Sequence, residues 1–224
     1  ITAEEREYLI AVVNRYFKAQ LDEKDVVASY AGVRPLCDDE SNSPSAITRD
    51  YTLEVEDHLG GAPLLSVFGG KITTYRKLAE AALARLSPYF EDMASPWTEK
   101  ATLPGAEFDR NHKNYAVGFT AAFSQELAHR YPWLPAALIN RYCRTYGSLC
   151  LQFLRKKTAL EQLGQHFGAG LYAVEVDYLI NKEWAYSCED ILWRRTKLGL
   201  YFKPVQAQGL SDYLDTQEYR KVSA

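Results

Sequence analysis

The sequence is poor in the residues that build metal centres and nucleophile sites. It has four cysteines, four histidines and one methionine among 224 residues. Cys37, Cys143, Cys150 and Cys188 form no C-x-x-C pair, and the spacing of Cys143 and Cys150 fits neither a zinc finger nor a common iron–sulfur run. They read as structural thiols of a reducing compartment. His58, His112, His129 and His166 have no second histidine or acid at metal-ligand spacing, so no metal site is expected. No G-x-S-x-G element and no Cys/His arrangement suggests a nucleophile. A net charge of -3 speaks against a nucleic-acid partner. No apolar run approaches the roughly 18 residues that a membrane-spanning helix needs. The first residue is Ile1 and the only methionine is Met93, so the chain is expected to begin partway through a longer protein.

What remains is an ordinary globular composition, 47% hydrophobic, with an unusual wealth of tyrosine at 16 residues. Residues 2–17 open with a Thr-x-x-Glu capping box at Thr2 and Glu5. Leu9, Val12, Val13, Tyr16 and Phe17 follow on one helical face. Residues 25–36 read as a strand ending in a turn. Residues 46–55 alternate as a strand, with Ile47, Arg49, Tyr51, Leu53 and Val55 on its apolar face. Residues 64–68 look like a short buried strand. After Gly69-Gly70 a helix is expected from about Lys71 to Leu86, with an apolar stripe of Ile72, Tyr75, Ala79, Ala82, Leu83 and Leu86. Pro88 ends it, and residues 87–96 read as a linker. Beyond Trp97 helical periodicity dominates, with helices expected at about 111–130, 134–145, 148–163, 174–185 and 188–200. The fold class is therefore α+β, with mixed strands and helices over 1–96, a helical domain over 97–215 and a flexible tail over 216–224.

Two constellations carry chemistry. The first is Phe68-Gly69-Gly70-Lys71-Ile72-Thr73-Thr74, read as strand, double glycine, helix. Two glycines let the backbone turn sharply and approach a ligand closely. The helix start then offers N–H groups and the positive end of its dipole to an anion or an electron-rich ring edge. The bland alternative is a plain strand-to-helix turn with a surface lysine. The second is the pair Arg34 and Arg49. Together two guanidinium groups form a fork for a phosphate or carboxylate. Alternatively each pairs with a nearby acid such as Asp38, Asp39 or Asp50. The basic run Arg155-Lys156-Lys157 reads as a solvated helix face or an attraction for anionic lipid. Arg194 and Arg195 are expected to cap a neighbouring helix or to pair with Glu175, Glu183 or Glu189.

Taken together the motifs become specific. Ser29-Tyr30-Ala31-Gly32-Val33-Arg34-Pro35-Leu36, then Ile47-Thr48-Arg49-Asp50-Tyr51, then the run from Ser66 through Gly69-Gly70-Lys71 to Glu80 closely resemble the aerobic, FAD-dependent glycerol-3-phosphate dehydrogenases. The stretch from Glu175 through Glu183 to Gly199 resembles their C-terminal helical domain, and the likeness extends over nearly the whole chain. The resemblance implies that Arg34 and Arg49 hold the substrate phosphate. It implies that Gly69, Gly70, Lys71, Ile72 and Thr73 close over the flavin, with Lys71 near the ring edge and the substrate. The implied reaction oxidises sn-glycerol 3-phosphate to dihydroxyacetone phosphate with FAD as cofactor and a membrane quinone as acceptor. The implied protein is a homodimer, cytoplasmic and peripheral to the cytoplasmic membrane.

The G-x-G-x-x-G fingerprint of that family does not occur here, and none of the four histidines matches its candidate base. The isolated chain is therefore expected to be inactive. Residues 1–96 are expected to be pieces of two domains, while the helical domain has apolar faces of its own. A soluble glycerol-3-phosphate oxidase and a non-catalytic helical interaction or dimerisation module remain as rival readings. The anaerobic type, with its iron–sulfur module, is disfavoured by the lack of paired cysteines.

Overall fold

The computed structural model describes residues 1–32, 50–58, 61–107 and 118–216. They form two compact units, Ile1–Ala101 and Thr102–Ala224. The class is α+β, with many helices and two small antiparallel sheets.

The first unit opens with helix α1 (Ala3–Tyr16). Thr2 and Glu5 close a reciprocal capping box at its start, Glu5 N–H to Thr2 Oγ1 at 3.1 Å and Thr2 N–H to Glu5 Oε2 at 2.8 Å. Residues 26–32, expected in a strand, instead run without regular structure after a 3-10 turn at Glu23–Asp25. Val27 and Tyr30 there are almost fully exposed, and among the described residues no strand lies alongside to take their backbone hydrogen bonds. Strand β1 (Tyr51–Glu56) pairs antiparallel with β2 (Leu64–Gly69), in a register that sets Tyr51 opposite Gly69. Along β1 the expected alternation holds, with Tyr51, Leu53 and Val55 partly covered and Thr52, Glu54 and Glu56 exposed. β2 is not the buried strand expected, because a two-stranded sheet leaves one face open. Leu64, Val67 and Phe68 are all exposed.

A 3-10 turn at Ile72–Thr74 leads into α2 (Tyr75–Leu86). Leu78 of α2 faces inward, whereas Ile72, Tyr75 and Leu83 of the expected apolar stripe point outward. The segment after α2 is held back against it. Glu80 accepts from Arg76 at 3.1 Å, from Lys77 at 3.2 Å and from the Thr98 hydroxyl. A groove of about 470 Å³ lies between α2 and residues 93–98, lined by Leu83, Met93, Pro96 and Trp97 among others. No described residue before Ala122 is buried.

The second unit has a core. Helices α3 (Phe119–Arg130), α4 (Ala136–Tyr146), the short α5 (Leu151–Leu154) and α6 (Ala173–Glu183) enclose Phe123, Leu127, Leu138, Tyr142, Leu154, Leu163, Val176 and Leu179. Tyr142, Tyr146, Phe153 and Tyr178 meet largely edge to face, with ring centroids 5.1–6.2 Å apart. This is where part of the tyrosine wealth goes. Gly105 and Gly147 pack backbone to backbone, and a Cβ at Gly147 would strike the Gly105 carbonyl oxygen. Ser148 N–H donates to that oxygen at 2.8 Å, and Glu107 accepts from Gly105 N–H and the Ser148 hydroxyl. The start of the unit is thereby stapled to the end of α4.

The helix expected at 148–163 is broken. After α5 the chain turns at Arg155-Lys156-Lys157, with Lys156 in the left-handed region at φ 64°, and a 3-10 turn follows at Leu160–Leu163. That basic run is thus a turn and not a helix face. Next comes a hairpin that sequence periodicity missed, β3 (His166–Gly168) and β4 (Leu171–Tyr172). The helix expected at 188–200 is also interrupted. It consists of a π-helical turn, Asp190–Arg195, then Lys197 at φ 60°, then a 3-10 turn, Leu198–Tyr201. Finally α7 (Pro204–Thr216) drives Leu210 and Leu214 into the core.

Candidate functional site

The glycine–lysine turn is the part of the expected site that the structure describes. Gly69 and Gly70 both take positive φ, 71° and 92°. This region suits glycine and strains a residue with a side chain. At Gly70 a Cβ would also come within 3.3 Å of Tyr51 Cβ, so the turn passes closely over the beginning of β1. The chain then closes a 3-10 turn, with Thr74 N–H and Oγ1 both donating to the Lys71 carbonyl at 3.0 and 2.9 Å. Gly69, Gly70, Lys71, Ile72 and Thr73 therefore form one continuous bend from β2 toward α2. Lys71 and Thr73 are exposed, and Ile72 is 89% exposed. Among the described residues the Lys71 ammonium has no carboxylate partner. Arg34 and Arg49 lie outside the described residues. So do Cys37 and His112.

The Glu80 carboxylate is held below its ordinary range, first by the Thr98 hydroxyl and then by Lys77. Glu80 is thus a fixed anion on α2, an anchor for residues 97–98 that sequence reasoning passed over.

The strongest electrostatic feature lies in the helical unit, and sequence patterning did not find it. Glu175 is 0% exposed. It receives both terminal nitrogens of Arg141, at 2.6 and 2.7 Å, and the Tyr146 hydroxyl at 2.6 Å. Arg141 also donates to the Gly170 carbonyl at 2.7 Å and lies over the Tyr142 ring, 4.8 Å from its centre. One bidentate pair thus ties α4, α6 and the β3–β4 turn together. Burial, and then the Glu175 charge, push the Tyr146 and Tyr142 hydroxyls well above the ordinary phenol range. The Arg141 and Glu175 charges meet each other, which marks the cluster as a structural clamp, while Arg141 Nε and the Tyr142 hydroxyl are buried without a hydrogen-bond partner. Glu175 is therefore not the partner of Arg194 or Arg195 that the sequence allows. Instead Arg194 pairs with Glu189 and Asp190 at 2.9 and 2.8 Å, and Arg195 caps α6 through the Glu183 carbonyl at 2.9 Å. Among the described residues no cluster of three His, Cys, Asp or Glu could hold a metal ion, and no helix is long and apolar enough to cross a membrane.

Comparison with known proteins gives this geometry its context. Residues 96–210 match the family described as the C-terminal domain of alpha-glycerophosphate oxidase. The chain belongs to that family. Its helical unit, with the Arg141–Glu175 clamp, is the family's C-terminal domain. Among similar curated proteins is the glycerol-3-phosphate dehydrogenase of Pseudomonas aeruginosa, 52% identical over 217 residues, covering 97% of this chain and 41% of that protein. The aerobic glycerol-3-phosphate dehydrogenase of Escherichia coli is 45% identical over 223 residues, covering 100% of this chain and 43% of the relative. The D-erythritol 1-phosphate dehydrogenase of Brucella abortus is 44% identical over 217 residues, covering 96% and 42%. The chain thus spans about two fifths of the length of these relatives.

Proposed function

We propose that this chain is the C-terminal portion of an FAD-dependent dehydrogenase that oxidises sn-glycerol 3-phosphate to dihydroxyacetone phosphate. The observation that carries this reading is identity of 45–52% with glycerol-3-phosphate dehydrogenases of two organisms, extending over nearly the whole chain. In the parent protein residues 1–101 are covered by further polypeptide. Support comes from the first unit having no buried residue among those described while exposing Phe68, Ile72 and Tyr75 around the turn.

The residues of the turn fit a flavin. Gly69 and Gly70 present backbone without a Cβ, so a flat ring could approach, and the exposed Lys71 would offer a positive charge beside it. FAD, when bound, supplies the acceptor for a hydride from C2 of the substrate. Lys71 offsets the negative charge that the ring gains, one of the few means a protein has of tuning a flavin. Ile72, exposed in the same bend, would help to exclude water from the site. Arg34 and Arg49 grip the phosphate as a fork, which fixes C2 of the substrate against the ring and converts an encounter into a positioned reaction. Electrons leave to a quinone, and the protein works as a homodimer peripheral to the membrane.

A second reading is favoured by the Brucella abortus relative, which is named for a four-carbon polyol phosphate. Both readings need a phosphate clamp and differ only in the room beyond C2. The test is flavin reduction in the full-length parent with glycerol 3-phosphate and with D-erythritol 1-phosphate, each as sole reductant. Faster reduction by glycerol 3-phosphate supports the first reading. Preference for the erythritol ester establishes the second, and no reduction by either overturns both. Oxygen uptake in place of quinone reduction would identify an oxidase.

A further inference from the structure

Thr74 stands at the start of α2, where a threonine ordinarily caps the helix by accepting from a backbone N–H two or three residues on. Thr74 makes no such bond. Its Oγ1 donates backward instead, to the Lys71 carbonyl at 2.9 Å, where Thr74 N–H arrives as well at 3.0 Å. One residue thus fills both acceptor positions of the Lys71 carbonyl, and α2 goes without a side-chain cap. The position of the bond matters because of what precedes it. Gly69 and Gly70 lie at φ 71° and 92° and, lacking a Cβ, constrain the backbone least. Lys71 itself is extended, at φ -115° and ψ 143°. Lys71, Ile72 and Thr73 are exposed, and Thr74 is the first residue after the glycines to be half-buried.

We propose that Thr74 is the positioning residue for Lys71: its hydroxyl holds the Lys71 carbonyl so that the ammonium meets the flavin ring at a fixed distance and angle. The proposal rests on the flavin reading of the preceding section. Two bonds to one carbonyl oxygen restrict rotation about the Lys71 Cα–C bond, and with it the direction in which the side chain leaves the backbone. Threonine suits this task because its branched Cβ leaves few side-chain rotamers, so the hydroxyl is held ready at small entropic cost. On the other side of the glycines the backbone is braced as well, since a Cβ at Gly70 would lie 3.3 Å from Tyr51 Cβ. A charge fixed beforehand stabilises the electron-rich ring more than one that swings through solvent, because nothing has to reorganise when the ring gains its charge.

The test uses the full-length parent and a double-mutant cycle between Thr74→Val, which keeps the shape and loses the hydroxyl, and Lys71→Met. Thr74→Ser restores the donor. Ser87→Ala is the control, because it removes a hydroxyl-to-carbonyl bond of the same kind, 2.9 Å to Ala84, at the far end of α2. Stopped-flow gives the rate of flavin reduction by glycerol 3-phosphate, and reductive titration gives the midpoint potential of the bound flavin. Amide exchange at Thr74, measured without substrate, reports the turn itself. The expected result is that Thr74→Val slows reduction roughly two- to tenfold, the worth of one neutral hydrogen bond, and moves the half-saturating substrate concentration much less. The potential falls in the same direction as in Lys71→Met, and exchange at Thr74 quickens. Thr74→Ser returns all three toward the wild type, and Ser87→Ala changes none of them. In the Lys71→Met background Thr74→Val has no further effect on rate or potential. An equal loss in that background would overturn the proposal, and so would a wild-type rate and potential in Thr74→Val beside a clear Lys71→Met effect. A Lys71→Met variant with the wild-type potential would overturn the charge at the turn, and this proposal with it.

Discussion

Replacing Arg141 by alanine should unfold the helical unit far more readily than its position on a helix suggests. Arg141 supplies three hydrogen bonds, two to Glu175 and one to the Gly170 carbonyl. Without it the Glu175 carboxylate, fully enclosed in the native fold, keeps only the Tyr146 hydroxyl as donor. Removing one partner of a buried ion pair costs about 3–5 kcal/mol, because the other charge is left without compensation. Total stabilities run to about 5–15 kcal/mol, so the variant should lose a large share of its margin. Replacing both partners by apolar groups of similar volume, as in Arg141→Met/Glu175→Leu, should recover most of the loss, since no charge is then stranded. The assay is urea unfolding followed by near-ultraviolet circular dichroism, which reports the tyrosines packed around the pair. A loss below about 1 kcal/mol for Arg141→Ala, the range of a surface pair, would refute the clamp. So would a double variant as unstable as the single one.

Three further outcomes test the proposed function and the packing of the helical unit. In the full-length parent, Arg49→Ala should raise KM for glycerol 3-phosphate roughly ten- to a hundredfold, the worth of one charge-assisted hydrogen bond. It should affect KM for glycerol much less, and equal effects on both would remove the phosphate role. Lys71→Met should slow flavin reduction in stopped-flow with a smaller change in substrate binding; an unchanged rate would count against the charge at the turn. Stability should also fall at alkaline pH. Burial pushes the Cys143 thiol up to about 11, and burial together with Cys143 pushes Cys150 up to about 12, from an ordinary 9.0. A raised folded-state pKa means that the native protein holds its protons more tightly than the unfolded chain. This contribution is complete below about pH 9 and is lost as the pH rises through 11 to 12. Urea midpoints measured across that window should fall more steeply in the wild type than in Cys143→Ala/Cys150→Ala, and parallel slopes would refute it.

The parts of this fold that were legible in the sequence are those set by local chemistry. The capping box at Thr2 and Glu5, the alternation along β1 and the double glycine before α2 each depend on a few neighbouring residues. What misled was long-range. The stripe of α2 and the apolar run of β2 look like core faces, but among the described residues no part of either is buried. Lys156 and Lys197 take left-handed turns inside stretches whose periodicity reads as continuous helix, and no glycine marks either break. The β3–β4 hairpin did leave a signal, Gly168-Ala169-Gly170 between Phe167 and Leu171, which helical periodicity overshadowed. Arg141 and Glu175 are 34 residues apart and were invisible as a pair. Within the candidate site, the turn from Gly69 to Thr73 forms one bend, while Arg34 and Arg49 lie outside the described residues.

The central claim is that this chain completes a flavin site that oxidises glycerol 3-phosphate. Its most direct test is the visible flavin absorption of the purified full-length parent, followed anaerobically as glycerol 3-phosphate is added. The account predicts a bound flavin that bleaches on addition, and a preparation of Arg34→Ala/Arg49→Ala that retains flavin but bleaches only at much higher substrate concentration. A parent protein that binds no flavin, or whose flavin is indifferent to glycerol 3-phosphate, would contradict it.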